Sequence, residues 1–350
     1  MGMLLKEILD IDALQALISN LDSASISRQG VDEAARELIT AIKSLTLYPN
    51  HQLLIDRFEP LRKEFSALYA HRTFYVWQIT QAAFEFTSLN LPDAELLQSN
   101  SLKCQVSFVS VLYDDICDLG RDRTLFDKSV LALRGQISQD DKVELYKLIS
   151  DTWSTVQNTI KHTPNYALLK SVLDEAYQEW ISSFEYSIST QETSNFDTDW
   201  EKYVDIISHT SILYLAGLID LLFVPNLLEG QVSSASKVFL RTQKMGQIAN
   251  WLTTWPRELM QQDFTSGVFR MALENKWITW DDLRNSPREK IREQIRQSPA
   301  EEQLWQTWER LRVESHQIVR ETQLPALNGY VDGFSALMFL LIASAGTKLI

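Results

Sequence analysis

The sequence predicts an all-α protein, a single helical bundle over residues 1–350, and three observations support this. Breakers are scarce, with 11 Gly and 9 Pro in 350 residues, which favours long helices over many short strands joined by turns. Apolar residues recur every three or four positions through most of the chain, the period of an amphipathic helix. Neither an internal repeat nor a shift in composition marks a domain boundary. With 45% hydrophobic and 23% charged residues, the chain can build a sizeable core and is not disordered in composition.

Taken in order, the N-terminal Met1–Asp12 carries Lys6, Glu7, Asp10 and Asp12 among its apolar residues and so lacks the apolar centre of a signal peptide. Breaks are expected at Tyr48-Pro49-Asn50, Asn90-Leu91-Pro92-Asp93, Thr163-Pro164-Asn165, Val224-Pro225-Asn226, Ser286-Pro287 and Ser298-Pro299. Several place Pro in the first turn of a following helix, where its missing N–H costs little. Leu102–Leu119 and Val238–Gln262 read as strong helices, and the polar stretch Ser187–Asp199 reads as a surface loop. The most apolar run, Ala336–Ala345, is about half the length needed to cross a bilayer, so no membrane span is expected.

The formal charge of −13 argues against nucleic acid as a partner, since phosphate binding needs a basic surface. It also repels an anionic substrate unless cations are recruited. Cys104 and Cys117, the two cysteines, suit neither a disulfide framework nor a zinc site, and fit a reduced, cytoplasmic setting.

Within Leu102–Leu119, Leu102, Val106, Val109, Leu112 and Ile116 form one stripe, while the other side holds Cys104, Ser107 and Val111. A helix apolar nearly all round is buried. At its end come Asp114, Asp115 and Asp118, just before Gly120, a stop signal. Asp114 and Asp118, four apart, share a face. Carboxylates at a helix C-terminus meet its partial negative charge and raise one another's pKa. Bound Mg²⁺, a hard cation that prefers carboxylate oxygen and water, relieves both conflicts.

The second helix has its apolar stripe at Met245, Ile248, Leu252, Trp255 and Leu259. Its other face holds Gln243, Gln247, Asn250, Thr254 and Glu258, with Arg257 alongside and Pro256 interrupting one backbone bond. Asn250, Thr254 and Glu258 are stacked at spacing four over about 12 Å of helix. Amide oxygen, hydroxyl and carboxylate in a row give three hard ligands for one Mg²⁺. An exposed polar face would carry Lys and Glu, yet no charge falls between Lys244 and Arg257.

Asp-Asp-Ile-Cys-Asp at 114–118 followed by Asn-x-x-x-Thr-x-x-x-Glu at 250–258 resembles the paired metal motifs of class I terpene synthases. The resemblance implies an α-helical bundle whose pocket holds three Mg²⁺ ions and a prenyl diphosphate. Asp114 and Asp118 would hold two ions and Asn250, Thr254 and Glu258 the third, with Asp115 supporting the cluster. Arg257 matches a basic residue that contacts the diphosphate in many microbial members. Tyr330, eighty residues past Asn250, stands where such members have an Arg-Tyr pair, with Gly329 in place of the Arg. Asp263-Phe264-Thr265-Ser266-Gly267-Val268 is similar to the segment after the second motif in bacterial diterpene synthases.

A diphosphate-sensing Arg is missing between Tyr203 and Tyr214. That absence, with Asp-Asp-Ile-Cys-Asp-Leu-Gly, resembles the plant-type kaurene synthases and leaves Arg72, Arg241 and Lys244 as further candidates for diphosphate contact. The likeness implies a diterpene synthase acting on a twenty-carbon, bicyclic diphosphate to give a hydrocarbon or an alcohol. The chain lacks the Asp-x-Asp-Asp motif that builds such a bicycle, so a separate class II cyclase would supply it. Among the 36 aromatics, Trp77, Phe84, Phe86, Phe108 and Trp251 are candidates to face a carbocation or to pack the core. The alternatives are a sesquiterpene synthase acting on farnesyl diphosphate, a prenyl-chain elongating enzyme, which would carry a second aspartate-rich motif, and a non-enzymatic helical scaffold. A di-iron bundle needs Glu-x-x-His pairs, absent here. Whether the chain forms a homodimer is left open.

Overall fold

The computed structural model describes residues 32–69, 74–136, 143–193 and 198–344. Among them every regular element is a helix. The first half holds α1 (Asp32–Lys43), α2 (Pro49–Glu64), the short α3 (Ser66–Tyr69), α4 (Phe74–Phe86), α5 (Asp93–Asp115), α6 (Arg123–Leu133), α7 (Glu144–Lys161) and α8 (Tyr166–Thr193). The second half holds α9 (Trp200–Ile207), α10 (Leu213–Leu221), α11 (Glu229–Gln261), α12 (Gly267–Glu274), α13 (Trp280–Asn285), α14 (Arg288–Gln297), α15 (Ala300–Glu321) and α16 (Tyr330–Ser344). The reading of Met1–Asp12 lies outside the described residues.

The expected breaks fall between helices. Pro49 opens α2 and Pro92 precedes α5, as a residue without an N–H is tolerated there. Asn165 donates from Nδ2 to the carbonyls of Leu221 and Val224 at 2.8 Å each, tying the start of α8 to the end of α10. Asn226 takes a left-handed φ of 54°, which Asn tolerates better than most residues.

One hydrophobic core runs through the bundle. α11 packs against α15, α10 and α16, while α5 is enclosed by α2, α4, α7 and α10. The stripe residues Leu102, Val106, Val109, Leu112 and Ile116 are all buried, and so are Cys104 and Ser107 opposite them. Trp77 and Phe108 belong to this packing, with Phe58 edge-on to both. α16 crosses the end of α4 so closely that a Cβ on Gly333 would lie 2.0 Å from the Phe86 carbonyl oxygen, so only glycine fits there.

An ion pair is sealed inside. Lys103 Nζ lies 2.9 Å from Asp220 Oδ1, both side chains 0% exposed. Lys103 also donates to Ser88 Oγ at 2.8 Å, and Asp220 accepts from the Leu89 N–H at 2.9 Å and from the Ser99 hydroxyl. Burial pushes the Lys103 ammonium below its ordinary pKa, against the pull of Asp220. The pair joins α5 to α10.

Two expectations are corrected. Ser187–Asp199 is not wholly a loop, because α8 continues to Thr193. Trp180, Phe184 and Ile188 at spacing four are buried, and the small polar Ser183, Ser187 and Thr190 are buried with them. The apolar run Ala336–Ala345 is the end of a longer stretch. Pro325–Ser344 is 20 residues long, with mean hydropathy 1.5 over its most apolar window. That is sufficient for a membrane span by length and composition, but 67% of the window is buried inside the bundle, as in a core helix.

Candidate active site between the two carboxylate helices

A cavity of about 300 Å³ opens between the C-terminal halves of α5 and α11. Its walls include apolar side chains, among them Val76, Ile79, Ala83 and Phe84 from α4, Val111, Leu213, Trp251, Leu337 and Leu341. Five carboxylates, Asp114, Asp115, Asp118, Glu258 and Asp263, share the lining with, among the described residues, a single basic residue, Arg257.

The first motif is delivered by a change of helix type. α5 ends at Asp115, and Ile116–Gly120 form a π-helical turn that carries Asp118; such turns recur at functional sites. The expected stop at Gly120 is displaced by one residue, since Arg121 adopts the left-handed conformation, φ 49° and ψ 33°. Ser187 of α8 donates to Asp118 Oδ1 at 2.8 Å.

The second motif lies on α11, which continues through Pro256. Asn250 and Glu258 line the cavity. Thr254 lies buried between them, its hydroxyl bonded back to the Asn250 carbonyl at 2.6 Å. Gln243, Gln247, Thr254 and Glu258 are all buried, so this face is not a solvated polar surface.

α11 ends at Gln262, φ 60°. Asp263 N–H donates to Glu258 O at 3.0 Å and Gln262 N–H to Leu259 O at 3.3 Å. This is a Schellman closure with Gln where Gly is usual. Arg121 Nη2 then donates to the Gln262 carbonyl at 2.5 Å. The two motif helices thus end on left-handed residues joined by one guanidinium.

The electrostatics are unfavourable without cations. Asp118 is held well above the usual carboxylate range, first by burial, then by Asp263, Asp114 and Glu258, against the Ser187 hydrogen bond. Burial and then Asp263 push Glu258 up to about 7, with Arg257, Thr254 and Ser266 opposing. Asp263 is raised by burial, while its bonds to Thr265 and the charges of Arg257 and Arg121 pull it back.

The residues fit Mg²⁺. Glu258 Oε2 is buried with no hydrogen-bond partner, an orphan that a cation would satisfy. The donors are carboxylate, amide and hydroxyl oxygens, the set a hard divalent ion selects. Among the described residues no three His, Cys, Asp or Glu side chains close into a self-contained metal site. Mg²⁺ is usually held by one or two carboxylates with water and phosphate oxygens completing the octahedron, so an open arrangement suits it. Arg257 Nη2 lies 3.8 Å from Glu258 Oε1, and its Nε is buried without a partner.

The structure brings Asp114, Asp115, Asp118, Asn250, Glu258 and Arg257 to one cavity, with Thr254 directly behind. Tyr330 does not reach it. Its ring packs at 5.2 Å from Phe239 and 5.4 Å from Phe334, buried near Thr242. Arg241 pairs with Glu314 and Lys244 with Asp205, away from the lining, and Arg72 lies outside the described residues. Of the aromatic candidates, Phe84 and Trp251 line the cavity. Trp251 stacks on Tyr203, with ring centroids 6.0 Å apart and planes at 17°. Gly267 makes room for it, since a Cβ there would meet the indole at 2.3 Å.

Asp263 and Ser187 escaped the sequence reading of the site. A signal for Asp263 was its place one residue beyond the end of the second helix, five after Glu258. For Ser187 it was the Trp180, Phe184, Ile188 spacing, which carries α8 past the polar residues.

No protein-family model and no curated protein matches the chain. Among solved structures, it is similar to the linalool/nerolidol synthase of Streptomyces clavuligerus in complex with 2-fluorogeranyl diphosphate. The TM-score is 0.53 at 12% identity, covering 87% of this chain and 97% of that one. Aristolochene synthase from Penicillium roqueforti aligns with a TM-score of 0.47 at 13% identity over the same shares. The first likeness identifies the fold: the chain has the all-α class I terpenoid synthase architecture.

Proposed function

We propose that this chain is a class I terpene synthase, a lyase that ionises an allylic prenyl diphosphate with Mg²⁺ and directs the resulting carbocation. The observation that carries the reading is the convergence of two oxygen-rich motifs, 132 residues apart between Asp118 and Asn250, on the lining of one cavity that also has apolar walls. The similar synthase solved with a fluorinated geranyl diphosphate supports a diphosphate as the ligand class.

Asp114 and Asp118 would hold two of three ions, with Asp115 supporting them, and Asn250, Thr254 and Glu258 the third. The chemistry bound Mg²⁺ supplies is Lewis-acid neutralisation of the departing diphosphate. Arg257, in the cavity lining, would donate N–H groups to that diphosphate, for which guanidinium geometry is suited. The apolar walls would exclude water from the cation, and Phe84 and Trp251 would offer π electrons to it.

The substrate reading is finer. The motif text supports a bicyclic twenty-carbon diphosphate, supplied by a separate class II cyclase, and an alkene or alcohol product. The cavity favours a second reading, because about 300 Å³ is at the low end for ligand pockets, and a fifteen-carbon chain needs less room. Incubation with bicyclic and linear twenty-carbon, fifteen-carbon and ten-carbon diphosphates plus Mg²⁺, with products identified by mass spectrometry, separates the two. The expected result is highest specificity for the bicyclic substrate. A tenfold preference for farnesyl diphosphate refutes the diterpene reading. No product from any substrate, together with no thermal stabilisation by Mg²⁺ and diphosphate, returns the chain to a helical scaffold.

A further inference from the structure

We infer that Asp263 is a further cation-side residue of this cavity, turning one carboxylate oxygen toward the Mg²⁺–diphosphate cluster that Asp118 and Glu258 serve. The inference rests on the terpene synthase reading and adds a residue outside both motifs. The left-handed turn at Gln262 reverses the chain at the end of α11 and brings Asp263 back to the lining. Three donors then fix one of its oxygens. Oδ1 accepts from Thr265 N–H at 3.0 Å, Thr265 Oγ1 at 2.7 Å and Gln191 Nε2 at 2.6 Å. No hydrogen bond reaches Oδ2 among the described residues.

A loop cap accounts for Oδ1 alone. A neutral amide would accept the same three bonds without adding charge beside Asp118 and Glu258. Asp263, itself buried, lines the same cavity as Asp118 and Glu258. Glu258 Oε2, more than nine-tenths buried and without a partner, marks the same place as one where an oxygen ligand awaits a cation. Side chains from α8, α9 and the turn before α6 hold the Gln262 turn in position. Arg121 takes the Gln262 carbonyl, Gln191 the Asp263 carboxylate, and Tyr203 the Thr265 carbonyl.

The test is Asp263→Asn, which keeps the acceptor for all three donors and removes the charge. Binding of Mg²⁺ in the presence of inorganic diphosphate is measured by titration calorimetry on the full chain, and bound Mn²⁺ is counted by paramagnetic resonance. D263N is expected to weaken Mg²⁺ binding tenfold or more while melting at or above the wild-type temperature without ions. Should D263N not fold, Asp263→Ser retains a hydroxyl to cap the Thr265 N–H, and the same loss is expected. Binding within twofold of wild type in a folded variant overturns the inference and leaves the synthase reading intact. A wild-type chain that binds no Mg²⁺ with diphosphate overturns both.

Discussion

Replacing Glu258 with Gln should stabilise the metal-free protein while removing a proposed metal ligand. Glu258 is 6% exposed, and its pKa rises from 4.5 to about 7 on folding. A raised carboxylate contributes stability that is fully present below pH 4.5 and is lost as pH climbs through 7. Above that range the buried charge costs about 3 kcal/mol relative to a neutral isostere. The 3.8 Å approach of Arg257 is too long for a hydrogen bond and offsets little of this. At about 2 cal/mol/K of unfolding entropy per residue, 350 residues carry about 0.7 kcal/mol/K, so the effect is worth about 4 °C in Tm. Wild type and E258Q would be melted in EDTA from pH 5 to pH 8.5. The difference should be only about 1 °C at pH 5 and should reach about 4 °C in favour of E258Q at pH 8, with relief of Asp118, which Glu258 also raises, adding in the same direction. With Mg²⁺ and diphosphate the order should invert, since only wild type gains the ligand. A variant no more stable than wild type at pH 8 would show that Glu258 is already compensated in the metal-free fold, and the argument for a cation there would fail.

Asp114→Ala should lower turnover by at least ~10², because the leaving group departs with incomplete neutralisation, while circular dichroism and Tm stay at wild-type levels; near-normal activity would remove Asp114 from the site. Gln262→Gly should raise stability by about 0.5–1 kcal/mol by relieving the left-handed φ of 60°, read as a higher denaturant midpoint. Lys103→Met should destabilise by about 3–5 kcal/mol, because Asp220 is left as an uncompensated buried charge, and chemical denaturation would report it.

Much of the fold was legible because its signals are local. Pro49, Asn165, Asn226, Pro287 and Pro299 restrict their own backbone, and the stripes on α5 and α11 need only the helical period. Those stripes also showed that the segments carrying Asp114, Asp118, Asn250 and Glu258 are buried helices, which is why most of the candidate cavity lining could be read. The losses occurred where tertiary packing decides. Ser183, Ser187 and Thr190 are small enough to be buried in α8, so polarity there did not mean exposure. Tyr330 stands at the right distance along the chain, but chain distance does not fix which way the first turn of α16 faces. The contribution of Asp263 depends on a left-handed Gln, a conformation its residue type does not announce.

The sealed Lys103–Asp220 pair has an evolutionary consequence. Neither position can change alone without stranding a charge and, on the Asp220 side, the Leu89 N–H and Ser99 hydroxyl that depend on it. In related sequences the two sites should therefore vary as a unit, charged together or apolar together, with intermediates seldom surviving. Since the pair fastens α5, which carries the first carboxylate motif, to α10, lineages that exchange it should shift the two helices relative to each other. New cavity shapes would then arise from a pair of substitutions at positions outside the cavity lining.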